Sequence, residues 1–143
     1  MEEKHCEFCK IVEGDSPAHH ILENEHAIAF LDINPAIEGH TLIIPKDHHA
    51  NLLLVEDGTM SCIFDAIETI GTAMMDQFDA DGFSVFHTTG TLIGNKNHAH
   101  IHLLPRYEDD NITLSLPRLS IDDEEGEYIS ETLQDFILDP TPE

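Results

Sequence analysis

Apolar residues recur along the chain with two different periods. From Met60 to Phe78 they stand three and four apart, at Met60, Ile63, Phe64, Ile67, Ile70, Met74 and Phe78. That spacing lines one face of a long helix. Asp57 is placed to cap its start, and Gly82 follows its end. Elsewhere the apolar runs are short. Ala27–Leu31 reads as a strand ended by the turn signal Asp32-Ile33-Asn34-Pro35, and Thr41–Ile44 as a second strand ended by Pro45. Phe83, Val85 and His87 alternate as another strand. A Gly- and Asn-containing loop over Gly90–Asn97 leads into a further strand, His98–Leu104, ended by Pro105. Phe8–Glu13 predicts a short helix stopped by Gly14, and an acidic segment predicts a helix over Asp123–Leu138. Strands mixed with one long helix, without alternating crossover helices, predict an α+β fold: a mainly antiparallel sheet with one long helix and short flanking helices. The length, 143 residues, suits one domain over 1–143, with an acidic C-terminal extension from about residue 107.

The run His98-Ala99-His100-Ile101-His102-Leu103 alternates strictly. Residues two apart on a strand share a face, so three imidazoles project together while Ala99, Ile101 and Leu103 turn into a core. The bland reading is a His-rich metal-binding run or a solvated face. A structural role alone does not need three imidazoles, each backed by an apolar residue. Neutral imidazole is nucleophilic near pH 7 and its cation donates to anionic oxygens, which suits phosphoryl chemistry.

Charge narrows the classes. There are 29 acidic side chains against 6 basic ones, a formal net charge of −23, spread along the chain. This sign disfavours non-specific nucleic-acid binding. It fits adaptation to high salt: the Debye length falls to about 3 Å at 1 M, which screens the self-repulsion of the folded state. No apolar run is long enough to span a bilayer, and the start Met1-Glu2-Glu3-Lys4 lacks the layout of a secretory signal. The expectation is a soluble cytoplasmic protein of a halophile with no membrane partner. Of three cysteines, Cys6 and Cys9 form a C-x-x-C pair, and Cys62 sits in the helical stretch as a small core residue. A disulfide framework does not fit a single domain with no export signal. His19-His20 reads as exposed loop.

Taken with "CEFCKIVEG", "AFLDINP" and "EGHTLIIPKDH", the run "HAHIHLLPR" closely resembles the histidine triad (HIT) family over roughly residues 6 to 106. Four ordered segments at family spacing are far more specific than the triad alone. The resemblance implies a nucleotidyl hydrolase or transferase that cleaves a nucleoside 5′-phosphoryl bond, with His100 as the nucleophile and a covalent nucleotidyl-histidine intermediate. His102 would donate to a non-bridging phosphate oxygen, and His40 would orient or polarise His100. Asp32 matches the carboxylate that accepts from the ribose hydroxyls, and serves equally as a turn residue before Asn34-Pro35. Phe30 and Ile33 would line the base pocket. The loop before the triad departs from the family pattern at Gly94-Asn95-Lys96-Asn97, where Asn95 would supply a donor to the phosphate.

Two thiolates need two more ligands to close a tetrahedral zinc site. The resemblance points to His48 and His98, with His49 as an adjacent rival for His48. A closed Cys2His2 site is structural, since it leaves no open position for a water nucleophile. The alternative is a pair of reduced thiols packed at the N-terminal helix. No organic cofactor is expected, and the resemblance implies a homodimer. The split bond could be P–N, as in an adenosine phosphoramidate, or P–O–P, as in a dinucleoside polyphosphate. Both leave the same enzyme-bound intermediate. Against this enzyme stand a non-catalytic purine-nucleotide-binding module, which the intact histidines disfavour, and a zinc-dependent nucleic-acid binder, which the charge disfavours.

Overall fold

The structure is a computed structural model that describes residues 6–88 and 98–139. Its element order is α1 (Glu7–Glu13), β1 (His20–Glu23), β2 (Ala27–Leu31), β3 (Thr41–Pro45), a 3-10 turn (Leu52–Leu54), α2 (Asp57–Gln77), β4 (Gly82–Phe86), β5 (Ile101–Arg106) and α3 (Asp123–Leu138). The strands form one antiparallel sheet in the order β1-β2-β3-β5-β4. This is the α+β architecture that the two periodicities predict.

β2 and β3 lie inside the sheet and are buried at nearly every position. A covered strand needs apolar side chains on both faces, so their sequences do not alternate. Ala27, Ala29, Ile43, Ile101 and Leu103 turn to α2 and join Ile63, Ala66, Ile67, Ile70 and Met74 in one core. Ile28, Phe30, Leu42 and Ile44 turn to the opposite face and meet Cys6, Phe8, Cys9 and Ile11 of the α1 segment. Ile43 is wholly buried; truncating it to alanine would cost about 2–5 kcal/mol. The histidines of the triad belong to the α1 face, opposite the long helix.

Several local expectations need correction. Glu56, not Asp57, is the N-cap of α2, and it makes no side-chain capping bond. Phe64 and Phe78 stand 59% and 49% exposed, while Thr59, Ala66 and Gly71 fill the buried face. Gly71 is small because the Phe83 ring lies against it: a Cβ there would come within 2.5 Å of that ring. His20 opens β1 and does not belong to a loop. His87 lies just past β4. The triad strand starts at Ile101, not His98, and runs through Pro105 to Arg106. Pro105 lies beyond the last rung shared with β3, where Thr41 faces Leu103.

The chain divides into two compact units, Met1–Ile112 and Thr113–Glu143. The first runs past residue 107 because Arg106 clasps the strand end. Its guanidinium donates to both Asp110 carboxylate oxygens, the Ser84 hydroxyl and the Ile112 carbonyl. The second unit carries α3, which starts at a capping box between Asp122 and Glu125. Tyr128, Ile129, Leu133, Phe136 and Ile137 on α3 are exposed. Among the described residues, no helix is long and apolar enough to cross a membrane.

Candidate functional site

Alternation along the triad segment puts Ile101 and Leu103 in the α2-side core and buries Ala99 as well, each at most 3% exposed. The imidazoles therefore take the other face. The ring of Phe8, set between Cys6 and Cys9 in sequence, meets the His98 ring edge-on at 5.8 Å and the His100 ring at 5.5 Å. The His100 and His102 rings are 5.1 Å apart. Ahead of β5, this segment is tied down by the Ala99 N–H, which donates to the His49 carbonyl. His49 thus contributes its backbone, and its neighbour His48 contributes its ring.

That ring completes a buried cluster. Nδ1 of His48 is 3.1 Å from Cys9 Sγ, and Nδ1 of His98 is 3.4 Å from Cys6 Sγ and 3.5 Å from Cys9 Sγ. All four ligand atoms lie within 4.8 Å of one another. Cys6 also caps α1, its sulfur accepting from the Cys9 N–H. The tautomer of His98 follows from its other nitrogen. Nε2 donates to the Pro45 carbonyl at 2.9 Å, so in the neutral ring Nδ1 keeps its lone pair and turns it toward the sulfurs. Burial lowers the His98 pKa, with the Pro45 bond opposing. Two sulfurs and two imidazole nitrogens at this mutual spacing fit a tetrahedral zinc ion, whose ligand atoms stand about 3.3–3.8 Å apart at ordinary bond lengths. The Pro45 carbonyl is the kind of outer partner that fixes a ligating imidazole.

The second cluster, Asp32, His40 and His102, also lies within metal-binding distance, but its hydrogen bonds point to a different use. The Ala36 N–H donates to Nδ1 of His40 at 3.0 Å, so the ring proton sits on Nε2. That nitrogen donates to Nδ1 of His102 at 2.9 Å and stands 3.5 Å from Asp32 Oδ2. His102, accepting at Nδ1, then carries its proton on Nε2. A cation bound by Nε2 of His40 would need the lone pair that this proton occupies. Burial lowers the pKa of His40, and Asp32 opposes it; burial, then His100 and His40, lower that of His102. Both rings are neutral at pH 7. Gly39 shapes the turn that delivers His40. Its φ is +97°, and a Cβ there would come within 2.9 Å of the Phe78 ring.

His100 completes the arrangement. Its Nδ1 donates to the carbonyl of His98 at 2.9 Å, so Nε2 of the neutral ring bears the lone pair. The structure thus brings together His40, His100, His102 and Asp32. Asp32 also accepts from the Asn34 N–H, which realises its turn role. Phe30 is 3% exposed, edge-on to Phe8 within the α1-side core, whereas Ile33 is 81% exposed. Asn95 and the loop around it fall outside the described residues. Sequence reasoning missed the backbone partners that set the tautomers: the carbonyls of Pro45 and His98 and the N–H of Ala36. It placed His87 in the strand before the loop but gave its ring no role; Nδ1 of that ring lies 3.2 Å from the His100 carbonyl. No residue-type signal marks a main-chain partner. For His87, the signal was its place at the end of the strand that pairs with the triad.

Comparison with known proteins identifies the family. Residues 13–109 match the family model described as HIT domain. A crystal structure from Streptococcus mutans superposes with a TM-score of 0.88 at 34% identity, covering 95% of this chain and 87% of that one. A zinc-bound histidine triad family protein from Mycobacterium smegmatis superposes with a TM-score of 0.70 at 33% identity, covering 92% of this chain and 95% of that one. The adenosine 5′-monophosphoramidase of Saccharomyces cerevisiae is 33% identical over 105 residues, 73% of this chain and 64% of that one.

Proposed function

We propose, from the premise that this chain belongs to the HIT domain family, that it is a nucleotidyl hydrolase or transferase working through a covalent nucleotidyl-histidine on His100. The observation that carries the reading is the tautomer of His100. With Nδ1–H given to the His98 carbonyl, Nε2 offers its lone pair for in-line attack on the α-phosphorus of a purine nucleotide. The Nε2–P bond forms as the bond to the leaving group breaks, and the leaving group departs with its electron pair and takes up a proton from solvent. Water then attacks the same phosphorus, the P–Nε2 bond breaks with its electron pair returning to His100, and the water's proton passes to solvent. Splitting one displacement into two lowers each barrier.

Nε2–H of His102, fixed by the bond from His40, donates to a non-bridging phosphate oxygen as charge develops there. Asp32 accepts from the ribose hydroxyls, Phe30 and Ile33 border the base, and Asn95 donates to the phosphate. The name of the yeast relative makes an adenosine phosphoramidate the first substrate to assay, ahead of dinucleoside polyphosphates. A zinc ion held by Cys6, Cys9, His48 and His98 would be structural. With it bound, α1, the segment after β3 and the start of the triad are cross-linked. A homodimer is supported by the sheet edge at β4, where Phe83 and Val85 stand 36% and 43% exposed. The test is intact mass after rapid acid quench with adenosine phosphoramidate. A single nucleotidyl adduct, absent in His100→Ala, is the expected result. A folded wild type that turns substrate over without any adduct sinks the mechanism.

A further inference from the structure

The residue proposed to attack lies at the place where the sheet stops supporting its own backbone. β5 begins at Ile101, which pairs with Ile43 of β3. On its other side, the last rung toward β4 is Phe86 opposite His102. His100 is therefore outside both ladders. Its N-terminal neighbour Ala99 is tied to the His49 carbonyl. Its ring is braced by the His98 carbonyl, the Phe8 ring and the His102 ring. On the β4 side, at the point where backbone pairing ends, an imidazole replaces the missing rung. His87 directly follows β4, and its Nδ1 is 3.2 Å from the His100 carbonyl. A carbonyl only accepts, so Nδ1–H of His87 is the donor.

We infer that His87 is a positioning residue for the nucleophile: it holds the His100 peptide unit through that carbonyl and so keeps Nε2 of His100 in line for attack. The inference rests on the nucleotidyl-transfer reading above. A near-attack geometry is sensitive to displacements well under the length of a bond, so a peptide free to tilt by that much lowers the rate of the chemical step without weakening nucleotide binding. His87 is exposed and belongs to neither core cluster.

The chemistry of the contact selects the variants. In asparagine the amide nitrogen stands about where Nδ1 stands in histidine, and it donates. Phenylalanine keeps a ring and donates nothing. The experiment compares wild type, His87→Phe, His87→Ala and His87→Asn in rapid-quench formation of the nucleotidyl-enzyme, in steady-state KM, in Tm and in the ring nitrogen–proton NMR signals of His100. Those signals are identified by their loss in His100→Ala. His87→Phe and His87→Ala should slow adduct formation about tenfold, the worth of one hydrogen bond, with KM and Tm unchanged. The His100 ring signals should shift in both. His87→Asn should return the rate to within about threefold and the signals to their wild-type positions. A wild-type rate with unshifted His100 signals in His87→Phe overturns the inference, and so does His87→Asn behaving as badly as His87→Phe. If the wild type forms no adduct at all, the nucleotidyl-transfer reading falls separately, and the His100 ring signals alone decide the role of His87.

Discussion

His98 and His102 stand four positions apart in sequence, yet in the clusters built around them, one with two cysteines and the other with an aspartate, the hydrogen bond that fixes the imidazole takes the N–H of His98 but the lone pair of His102. Nε2 of His98 donates to the Pro45 carbonyl, and its lone pair on Nδ1 turns toward two sulfurs. Nδ1 of His40 accepts from the Ala36 N–H, so its ring proton sits on Nε2 and is donated in a hydrogen bond to Nδ1 of His102. A backbone carbonyl bonded to one ring nitrogen leaves the other with its lone pair; a backbone N–H leaves the other with a proton to donate. Between the two clusters, Phe8 touches His98 and His100 at once. Phe8, flanked in sequence by the two cysteines, thus links the metal-capable cluster to the ring of His100.

The most damaging break is to the ring that the second cluster serves. His100→Ala should lower turnover by at least about 10⁴-fold, as removal of a covalent nucleophile does, while nucleotide still binds. Turnover within tenfold of wild type in the folded variant would remove the distinction between a structural and a reacting imidazole. The next largest effect belongs to the other cluster. Cys6→Ser/Cys9→Ser should abolish bound zinc, measured as about one ion per chain in wild type, and cost about 3–5 kcal/mol, lowering Tm by roughly 10 °C. Undiminished metal in that double variant would place the ion elsewhere, the Asp32, His40 and His102 group being the first alternative. His40→Gln sharpens the comparison from the opposite side. It should leave zinc content and Tm close to wild type and reduce kcat about 10- to 100-fold, because the donor that fixes His102 is gone. Loss of zinc from this variant would show that the two clusters are one.

What could be read from the sequence follows from the range of the interactions involved. The alternation at Ala99, Ile101 and Leu103 is local, and it told correctly which face the imidazoles take. The apolar runs in β2 and β3 marked strands, though not which sheet neighbours they had, because pairing partners lie far apart in sequence. Phe64 and Phe78 fit the helical period of α2 yet remain exposed: periodicity shows which side chains share a face, while burial depends on what covers it. The motif segments identified Cys6, Cys9, His40, His48, His98, His100 and His102, and the structure gathers these into two groups. The resemblance named His48, with His49 as its rival; in the fold it is Nδ1 of His48 that stands 3.1 Å from Cys9 Sγ, while the His49 carbonyl accepts from the Ala99 N–H. The tautomers needed it too, because those of His40, His98 and His100 are set by main-chain groups and that of His102 by the ring of His40, 62 residues away.

Acid should expose the same contrast with a smaller effect. His40 and His102 both have pKa values lowered first by burial. Below the ordinary imidazole value of about 6.5, the unfolded chain accepts protons that the folded chain refuses. The unfolded state then binds more protons, so stability falls as pH falls from about 6.5 toward the lowered native values, and is fully present above that window. Asp110 titrates elsewhere: Arg106 holds its carboxyl well below the usual range, so its contribution persists until about pH 4 and fades only below it. The window between pH 7 and 5.5 therefore reports on imidazoles. The urea midpoint of wild type should drop across it, and that of His40→Gln, compared at equal zinc content, should drop by less. Equal drops in the two proteins would mean that burial of the His40 ring is not what acid undoes, and would shift the pH sensitivity to the cysteine-bearing cluster, where protons compete directly with the metal for sulfur and nitrogen.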